Sequence, residues 1–389
     1  MKGYKIIALF LAMSLMMAGC QTTAQTETTT ETETQETTSA GVEATGETGT
    51  ANAIVHSESK VTTDANTQTV ITTQNSFQLD TYITISIYDE TQAPDDVFEE
   101  IFQRIDYYEN MISKTIESSE LAQVNAMAGI EPVAVSDDLY GLIEKGIYYG
   151  DVSNGKFDIT IGPLVDLWGI GTDHAAVPDP ADIEAAIQLI DYKKVELDAQ
   201  AHTVYLTDPN MEIDLGGIAK GYIADQIKSF ILSLGYDSAI INLGGNVLTV
   251  GTKPGATTWS IGIREPVADS TDLSCVLSLE DDSVVSSGVY ERFFYDGDTR
   301  YHHILNPATG YPEQNDMLSV SIITPSSVDG DALSTTLFLM GLEDGYAYAQ
   351  ADPDIEALFI MSDGSIYMTS GLDSKFLLMN NNYHVEEMP

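Results

Sequence analysis

The chain has 389 residues, and its 60 acidic against 16 basic residues give a formal net charge of -44 at pH 7. A charge of this size repels nucleic acid, and no basic stripe interleaved with aromatic residues opposes the repulsion, so we expect no nucleic-acid partner. A phosphate-bearing ligand would have to bind against the field of the whole protein.

The first twenty residues predict a signal for export. Lys2 and Lys5 precede a short apolar run, and Ala18 and Gly19 stand directly before Cys20. This pattern is typical of a secretion signal and is too short for a membrane span. The order Ala-Gly-Cys resembles a bacterial lipobox. We therefore predict that residues 1–20 are a lipoprotein signal peptide and that a lipid on Cys20 anchors the protein to the cell membrane outside the cytoplasm; an ordinary cleaved signal is the alternative.

Residues 21–72 are rich in Thr, Glu, Gln, Ala and Gly and contain almost no large apolar residue before Ile54. Such a segment cannot bury enough apolar surface to offset its chain entropy. We predict a flexible, disordered tether, with a regulatory or glycosylated segment as the alternatives. Residues 73–389 are then expected to form one domain. Its only cysteine is Cys275, in an apolar alternation that predicts a buried strand, so an internal disulfide is excluded.

Hydrophobic periodicity predicts the elements of this domain in chain order. Its first half is expected to contain a strand at 77–88, helices at 95–112, 139–152 and 180–190, strands at 195–197, 203–206 and 212–215, and a helix at 222–234. Its second half is expected to contain strands at 239–242, 247–250, 259–263, 275–279, 283–286, 292–295 and 317–323, helices at 329–340 and 346–350, and strands at 356–361, 366–369 and 376–378. Neighbouring strands with short turns and inserted helices predict an α+β fold, a single catalytic domain with mostly antiparallel sheets.

A run of small residues at 214–225 (DLGGIAKGYIAD) stands between an apolar strand-like segment and an amphipathic one. Glycines at such a place let a ligand approach the backbone, and the start of the following helix offers free N–H groups to an anion. A strand, a tight turn and a helix are a common combination, so this segment on its own identifies no ligand.

Asp331 and Thr335 are four residues apart on a predicted helix, so their oxygens lie on one face. A carboxylate and a hydroxyl at this spacing form half of a site for a hard cation such as Mg²⁺, which prefers oxygen ligands. Alternatively, Asp331 interacts with the helix dipole and Thr335 bonds to its own turn. The spacing alone favours this structural alternative.

Two further side chains have both a functional and a structural interpretation. His303 begins the segment 303–310 (HILNPATG), and an imidazole that titrates near neutral pH suits a general base. A histidine at the end of a strand is nevertheless more often structural. Asp158, in the segment 155–164 (GKFDITIGPL), could either bind a ligand or cap its own turn.

Together, these segments and 331–335 (DALST) resemble the ApbE-type FAD:protein FMN transferases, from about Phe77 to the C-terminus. The resemblance implies a Mg²⁺-dependent transfer of FMN from FAD to a Ser or Thr hydroxyl of a target protein, with release of AMP. We do not expect a clamp of Arg and Lys around the pyrophosphate in so acidic a chain. The metal would therefore supply the neutralising charge.

The resemblance also implies roles for individual residues. Asp331, Thr335 and the backbone carbonyl of Ala219 would bind the metal, and His303 would act as the general base. The residues expected to contact FAD are Leu79, Ser118, Asp158, Lys220, Tyr222 and Ile304. Two segments depart from the family pattern, because residues 79–81 are LDT instead of MGT and residues 287–290 are SGVY instead of SGDY.

Two other functions remain open. With water in place of the acceptor hydroxyl, the same site would be an FAD pyrophosphatase that releases FMN and AMP. The domain could also be a flavin- or solute-binding lipoprotein without catalysis. The sequence names no acceptor protein, and the resemblance implies redox-pump subunits or extracellular reductases that carry a flavinylation motif.

Overall fold

The computed structural model describes residue 57 and residues 59–388, which form alternating groups of strands and helices. The strands are β1 (Lys60–Thr63), β2 (Val70–Gln78), β3 (Thr81–Asp89), β4 (Val133–Ala134), β5 (Val195–Asp198), β6 (Thr203–Leu206), β7 (Ala239–Leu243), β8 (Asn246–Val250), β9 (Trp259–Arg264), β10 (Leu273–Leu279), β11 (Ser283–Gly288), β12 (Phe293–Asp296), β13 (Thr299–His302), β14 (Met317–Thr324), β15 (Glu356–Met361), β16 (Ser365–Met368), β17 (Phe376–Leu378) and β18 (His384–Val385). The helices are α1 (Asp95–Ile112), α2 (Glu120–Ala126), α3 (Asp137–Val152), α4 (Gly162–Trp168), α5 (Pro180–Ile187), α6 (Ala219–Ser233), α7 (Ser327–Met340) and α8 (Leu342–Ala351).

Ten of these strands form one large sheet in the order β1-β2-β3-β7-β8-β11-β14-β15-β16-β18. Its strand pairs are antiparallel from β1 to β16, and the last pair, β16 with β18, is parallel. Three smaller sheets are β17-β10-β9, β4-β6-β5 and the hairpin β12-β13. The predicted α+β fold with mostly antiparallel sheets is therefore confirmed.

The large sheet is covered on both faces. Ile83, Ile85 and Ile87 of β3 point to one face, where they join a core that includes buried residues of α1, α3, α6 and α7. Tyr88 points to the other face and packs edge-on against Trp259 of β9, with ring centroids 4.9 Å apart. The period of two in a strand separates these two sets of side chains. The helices that carry the candidate site thus share one face of the sheet, and the β17-β10-β9 sheet covers the other.

A smaller group of buried side chains supports the segment that follows β13. This group, the Trp168 cluster, consists of Leu164, Trp168, Ile183, Ala186 and Leu305. The indole Nε1 of Trp168 donates to the carbonyl oxygen of Gly310 at 2.8 Å. Helices α4 and α5 therefore hold the end of the predicted HILNPATG segment in place.

Several element boundaries differ from those predicted. Helix α1 matches its predicted range, because its apolar residues recur at helical spacing. The predicted strand 77–88 instead contains a turn at Leu79 and Asp80, where φ is 55° and 54°. The alternation continues from β2 into β3 across this two-residue turn, so periodicity does not reveal it. The predicted strand 212–215 is reduced to one parallel bridge between Ile161 and Glu212.

Strand β1 and the start of β2 lie inside the segment 21–72 that the sequence predicts to be a flexible tether. The ordered sheet therefore begins before residue 73, since β1 pairs with β2 from Lys60 opposite Thr73 to Thr63 opposite Val70. The side chains of β1 are exposed. This edge strand is held by backbone hydrogen bonds, which leave no hydrophobic signal in the sequence. The predicted signal peptide, Cys20 and the first part of the predicted tether lie outside the described residues.

Two further sequence predictions concern burial and the membrane. Cys275 is a free thiol in β10 with no exposed surface, as predicted, and burial raises its pKa to about 12. Within residues 57 and 59–388, no helix has both the length and the apolar character needed to cross a membrane.

Candidate functional site

The Gly-rich segment forms a tight turn that leads into α6. Gly216 is exposed and Gly217 is half-buried. A Cβ atom at Gly217 would lie 3.1 Å from the ring of Phe157 and 3.8 Å from Thr335 Oγ1. The turn therefore lies between Phe157 of the GKFDITIGPL segment and Thr335 of α7, two residues that are far apart in the sequence.

Helices α6 and α7 pack closely against each other at Gly221. A Cβ atom there would lie 2.2 Å from the carbonyl oxygen of Ser327 and 2.7 Å from Asp331 Cβ, so a side chain does not fit. The N–H of Gly221 donates to Asp331 Oδ2 at 2.8 Å. This contact places the Asp331 carboxylate beside the first turn of α6, which contains Ala219 and Lys220.

Thr335 is the point at which α7 opens toward this turn. In the described stretch from Gly330 to Leu339, Thr335 is the one residue that is not buried. Its hydroxyl lies 3.4 Å from that of Ser287, which in turn bonds to Ser334 at 2.8 Å. The structure thus places Asp331 beside the first turn of α6 and Thr335 beside the Gly-rich turn. Metal binding by these residues stays a prediction.

The predicted oxygen ligands suit Mg²⁺. They would not suit a metal ion that needs three or more side-chain ligands from the protein. The predicted donors are the Asp331 carboxylate, the Thr335 hydroxyl and the backbone carbonyl of Ala219, and all three are oxygens. Among the described residues there is no group of three or more His, Cys, Asp or Glu side chains placed to hold a metal. Mg²⁺ typically takes one or two carboxylates from the protein and completes its shell with water and substrate phosphates.

The Asp331 carboxyl is only 5% exposed, and this burial raises its pKa. The nearby Lys220 ammonium and the backbone N–H groups of Gly221 and Lys220 act in the opposite direction. A bare buried carboxylate is costly, and a cation beside it stabilises its charged form.

The two adjacent histidines have different surroundings. His302 is buried, its Nδ1 accepts from the N–H of Ile304 at 3.3 Å, and its Nε2 lies 2.8 Å from the carbonyl oxygen of Glu313. Burial lowers the pKa of His302 to about 4. Both ring nitrogens are therefore engaged, and His302 is structural.

Of the two ring nitrogens of His303, only Nδ1 lies near a hydrogen-bond partner within the described residues. Its Nδ1 lies 3.3 Å from the carbonyl oxygen of Arg292, which also accepts the backbone N–H of His303 at 3.0 Å. A carbonyl only accepts, so the neutral ring carries its proton on Nδ1. Nε2 then remains as the proton acceptor.

The charge state of His303 differs from the sequence-based expectation. Although the side chain is partly exposed, the protein around it lowers its pKa to about 3 by desolvation. The positive charges of Arg292 and Lys220 act in the same direction. The imidazole therefore does not titrate near neutral pH, and at pH 7 it is neutral and able to accept a proton, although only as a weak base.

A group of cations lies beside Asp331, which is predicted to bind the metal, contrary to the expectation from the acidic composition. Lys220, Arg264 and Arg292 all act on the carboxyl of Glu291; although this residue is exposed, desolvation by the surrounding protein raises its pKa to about 6. The Arg264 guanidinium also lies 4.9 Å from the centre of the Tyr290 ring. Sequence reasoning missed this group. One feature of the sequence could have revealed it. Residues 291 and 292, an acid and an arginine, directly follow the SGVY segment in a chain that contains few cations.

Asp158 is placed as a turn cap. Its Oδ1 accepts from the N–H and the hydroxyl of Thr160 at 2.8 and 2.7 Å, and its Oδ2 accepts from the N–H of Tyr192 at 3.0 Å. These bonds hold the GKFDITIGPL segment against the chain before β5. A contact between Asp158 and FAD stays a prediction.

The other residues predicted to contact FAD lie on separate elements. Leu79 is in the β2–β3 turn, Ser118 is exposed before α2, and Ile304 is buried in the main core. The Tyr222 hydroxyl donates to Asp138 at 2.6 Å, so this ring points toward α3. The roles of these four residues in binding FAD stay predictions.

Lys114 joins three of these segments and was also missed. Its ammonium lies 2.5 Å from Asp166, 3.0 Å from Glu212 and 3.7 Å from Asp214. These contacts connect the loop before α2, which contains Ser118, with α4 and with the approach to the Gly-rich turn. A lone lysine in a polar loop carries no sequence signal for such a role.

Comparison with known proteins identifies the same family that the sequence segments resemble. The model of the ApbE family matches residues 79–359. The FAD:protein FMN transferase of Treponema pallidum is 40% identical over 300 residues, which is 72% of this chain and 83% of that protein. The FAD:protein FMN transferase of Klebsiella pneumoniae is 38% identical over 303 residues, which is 78% of this chain and 93% of that protein.

Solved structures agree in fold. The ApbE protein of Thermotoga maritima superimposes with a TM-score of 0.72 at 32% identity and covers 77% of this chain and 97% of that one. The flavin transferase ApbE of Vibrio cholerae superimposes with a TM-score of 0.72 at 26% identity and covers 79% and 99%. The resemblance inferred from the four segments is confirmed, and the chain belongs to the ApbE family.

Proposed function

We propose that this protein is an FAD:protein FMN transferase that moves FMN from FAD to a Ser or Thr hydroxyl of a flavin-accepting protein and releases AMP. The main support is the α6–α7 contact, which places Asp331 and Thr335 beside the Gly-rich turn. Relatives at 38% and 40% identity carry the name of this activity.

The chain's own residues would bind the pyrophosphate of FAD through a metal ion and through cationic side chains. Asp331, Thr335 and the Ala219 carbonyl would hold Mg²⁺, which when bound would neutralise the phosphates and stabilise the charge that develops on the departing AMP. Beside these residues, Lys220 and the arginines near Glu291 supply further positive charge. Glycines in the turn let the phosphates approach the backbone.

His303 would accept the proton of the acceptor hydroxyl at Nε2. The hydroxyl oxygen forms a bond to the FMN-side phosphorus, and the bond from this phosphorus to the bridging oxygen breaks, so AMP leaves with the bonding electron pair. The Arg292 carbonyl keeps the ring in the required tautomer.

One incubation separates the proposed reaction from its alternatives. The purified protein is mixed with FAD, Mg²⁺ and a flavin-accepting protein, and the products are analysed by mass spectrometry. We expect the acceptor to gain the mass of FMN as a phosphoester. Free FMN and AMP with an unmodified acceptor would instead identify a pyrophosphatase, and unchanged bound FAD would identify a binding protein.

The metal requirement is tested with Asp331→Asn. This variant keeps an oxygen for the Gly221 N–H but removes the charge, so the structural cost is only about 1 kcal/mol. Transfer should collapse at every Mg²⁺ concentration while the protein stays folded. The matched control is Asp329→Asn on the same helix, whose side chain bonds to Lys145 and Tyr149; it should retain the Mg²⁺ dependence. Wild-type transfer by Asp331→Asn at limiting Mg²⁺ would rule out the site.

We further propose that a lipid on Cys20 anchors the protein to the outer side of the cell membrane and that its acceptor is an exported redox-pump subunit or reductase. The support is the signal-like sequence that ends at Cys20. The wild type should fractionate with membranes, and Cys20→Ser should be soluble or remain uncleaved. A soluble wild type with its N-terminus elsewhere would refute the anchor.

A further inference from the structure

Asp225, the last residue of the Gly-rich segment, holds the start of α7 from the side of α6. Its Oδ1 accepts the N–H of Ser327 at 3.0 Å, and its Oδ2 accepts the N–H of Val328 at 2.9 Å. N–H groups in the first turn of a helix have no partner within that helix. Asp225 therefore caps α7 with both carboxylate oxygens, although it belongs to another helix.

This cap and the Gly221–Asp331 bond form two successive contacts between the same two helices. Gly221 and Asp225 are four residues apart on α6, which is about one turn, and Ser327 and Asp331 are four residues apart on α7. One contact alone would let α7 pivot about it. Two contacts a turn apart set both the rotation of α7 and its position along α6.

The start of α7 is also attached to the sheet. The Ser327 hydroxyl donates to Asn246 Oδ1 at 2.8 Å and accepts from the Ser283 hydroxyl at 2.9 Å. Loss of the Asp225 carboxylate would therefore displace the first turn of α7 without releasing it. A small displacement is enough to matter, because a metal site requires its oxygens at short, well-defined distances.

We propose that Asp225 is a positioning residue for the metal-binding side chains, which holds α7 where Asp331 and Thr335 both face the Gly-rich turn. The proposal rests on the proposed Mg²⁺ site. Both Asp225 carboxylate oxygens bond to backbone N–H groups of α7, and Asp225 is not among the residues predicted to bind the metal or FAD. Its effect should therefore appear in the affinity for Mg²⁺ more than in the rate once Mg²⁺ is saturating.

The test measures Mg²⁺ binding without turnover and then with it. Mg²⁺ is titrated into the wild type, Asp225→Asn and Asp225→Ala in the presence of FAD, and its apparent Kd is taken from the rise in Tm. Transfer is then measured over the same Mg²⁺ range. In Asp225→Ala, we expect the apparent Kd and the half-saturating Mg²⁺ concentration to rise by about tenfold, since both cap hydrogen bonds are lost. Asp225→Asn keeps one acceptor oxygen, so its apparent Kd for Mg²⁺ should lie between those of the wild type and Asp225→Ala.

Asp198→Ala is the matched control. Asp198 Oδ1 also accepts two backbone N–H groups, those of Gln200 at 2.8 Å and Ala201 at 3.0 Å, but in the turn after β5. It should lower Tm without changing the affinity for Mg²⁺. If Asp225→Ala behaves like this control, Asp225 is only a helix cap and the proposal is wrong. If Asp225→Ala does not fold, the same comparison with Asp225→Asn decides. A wild type that needs no Mg²⁺ would instead refute the metal site itself.

Discussion

The α6–α7 contact and the Trp168 cluster hold the two sides of the candidate site in different ways. At α6–α7, the backbones are so close that Gly221 has no room for a Cβ atom. On the His303 side, the chain is held by separate hydrogen bonds, such as that from Trp168 to the Gly310 carbonyl. A change of shape on the first side should therefore disturb fold and activity together, whereas the second side can lose one contact at a time.

Gly221→Ala should have the largest effect, because the added methyl would meet the Ser327 backbone at 2.2 Å. We expect a loss of about 3 kcal/mol in the free energy of unfolding and a fall in transfer on the order of 10²-fold or more as Asp331 is displaced. Urea unfolding and transfer assays measure the two effects.

Gly141→Ala in α3 is the control. A Cβ atom at Gly141 meets nothing within 4 Å, so this change should stabilise the protein by about 0.5–1 kcal/mol. Equal effects of the two changes would contradict the close α6–α7 contact.

His303→Ala should affect the rate with little effect on the fold. Transfer should fall by roughly 10²–10⁴-fold, the usual contribution of a general base, while FAD still binds. The loss should be smaller at high pH, where the acceptor hydroxyl needs less help. Single-turnover rates and FAD binding measure this.

The adjacent residue supplies the comparison. His302→Ala removes a buried ring with two hydrogen bonds, so Tm should fall while the rate per folded molecule changes less. If His303→Ala shows this second pattern, His303 is structural and the base must be sought elsewhere.

The stability of the His303 side should depend on pH through His302. Its pKa is about 4 in the folded protein and about 6.5 when unfolded, so between these values only the unfolded chain binds a proton here. Because protonation of His302 favours the unfolded chain, the free energy of unfolding is highest above pH 6.5. It decreases as the pH falls, by up to about 3 kcal/mol at pH 4. Denaturant unfolding at pH 7, 5.5 and 4 should show the difference between wild type and His302→Gln narrowing toward low pH. A constant difference would contradict the lowered pKa.

Trp168→Phe should have the smallest effect. It removes the hydrogen bond to Gly310 and part of a buried ring, which we expect to cost about 1–2 kcal/mol in the free energy of unfolding. Transfer should fall far less than in His303→Ala, because the Arg292 carbonyl still orients the imidazole. A loss of transfer as large as that in His303→Ala would show that the two sides are not held differently after all.

Local patterns in the sequence indicated most of the long helices and strands and the segments that identify the family, but they gave no sign of the short helices α2 and α4. The spacing of apolar residues predicts α1 to the residue, because a helix with one buried face must repeat that spacing. The short segments around Asp158, Gly216, His303 and Asp331 were sufficient to indicate the family. Periodicity could not reveal the turn at Leu79 or the exposed strand β1, since neither interrupts nor creates a hydrophobic pattern.

Only the tertiary structure decided how these segments meet. Gly221 and Asp331 are 110 residues apart, and their contact depends on the packing of two helices on one face of the sheet. The neutral state of His303 and the group of cations around Glu291 also arise from long-range neighbours. The pKa of a side chain and the position of an oxygen that could bind a metal depend on all neighbouring groups in space. Sequence patterns, in contrast, describe only neighbours along the chain.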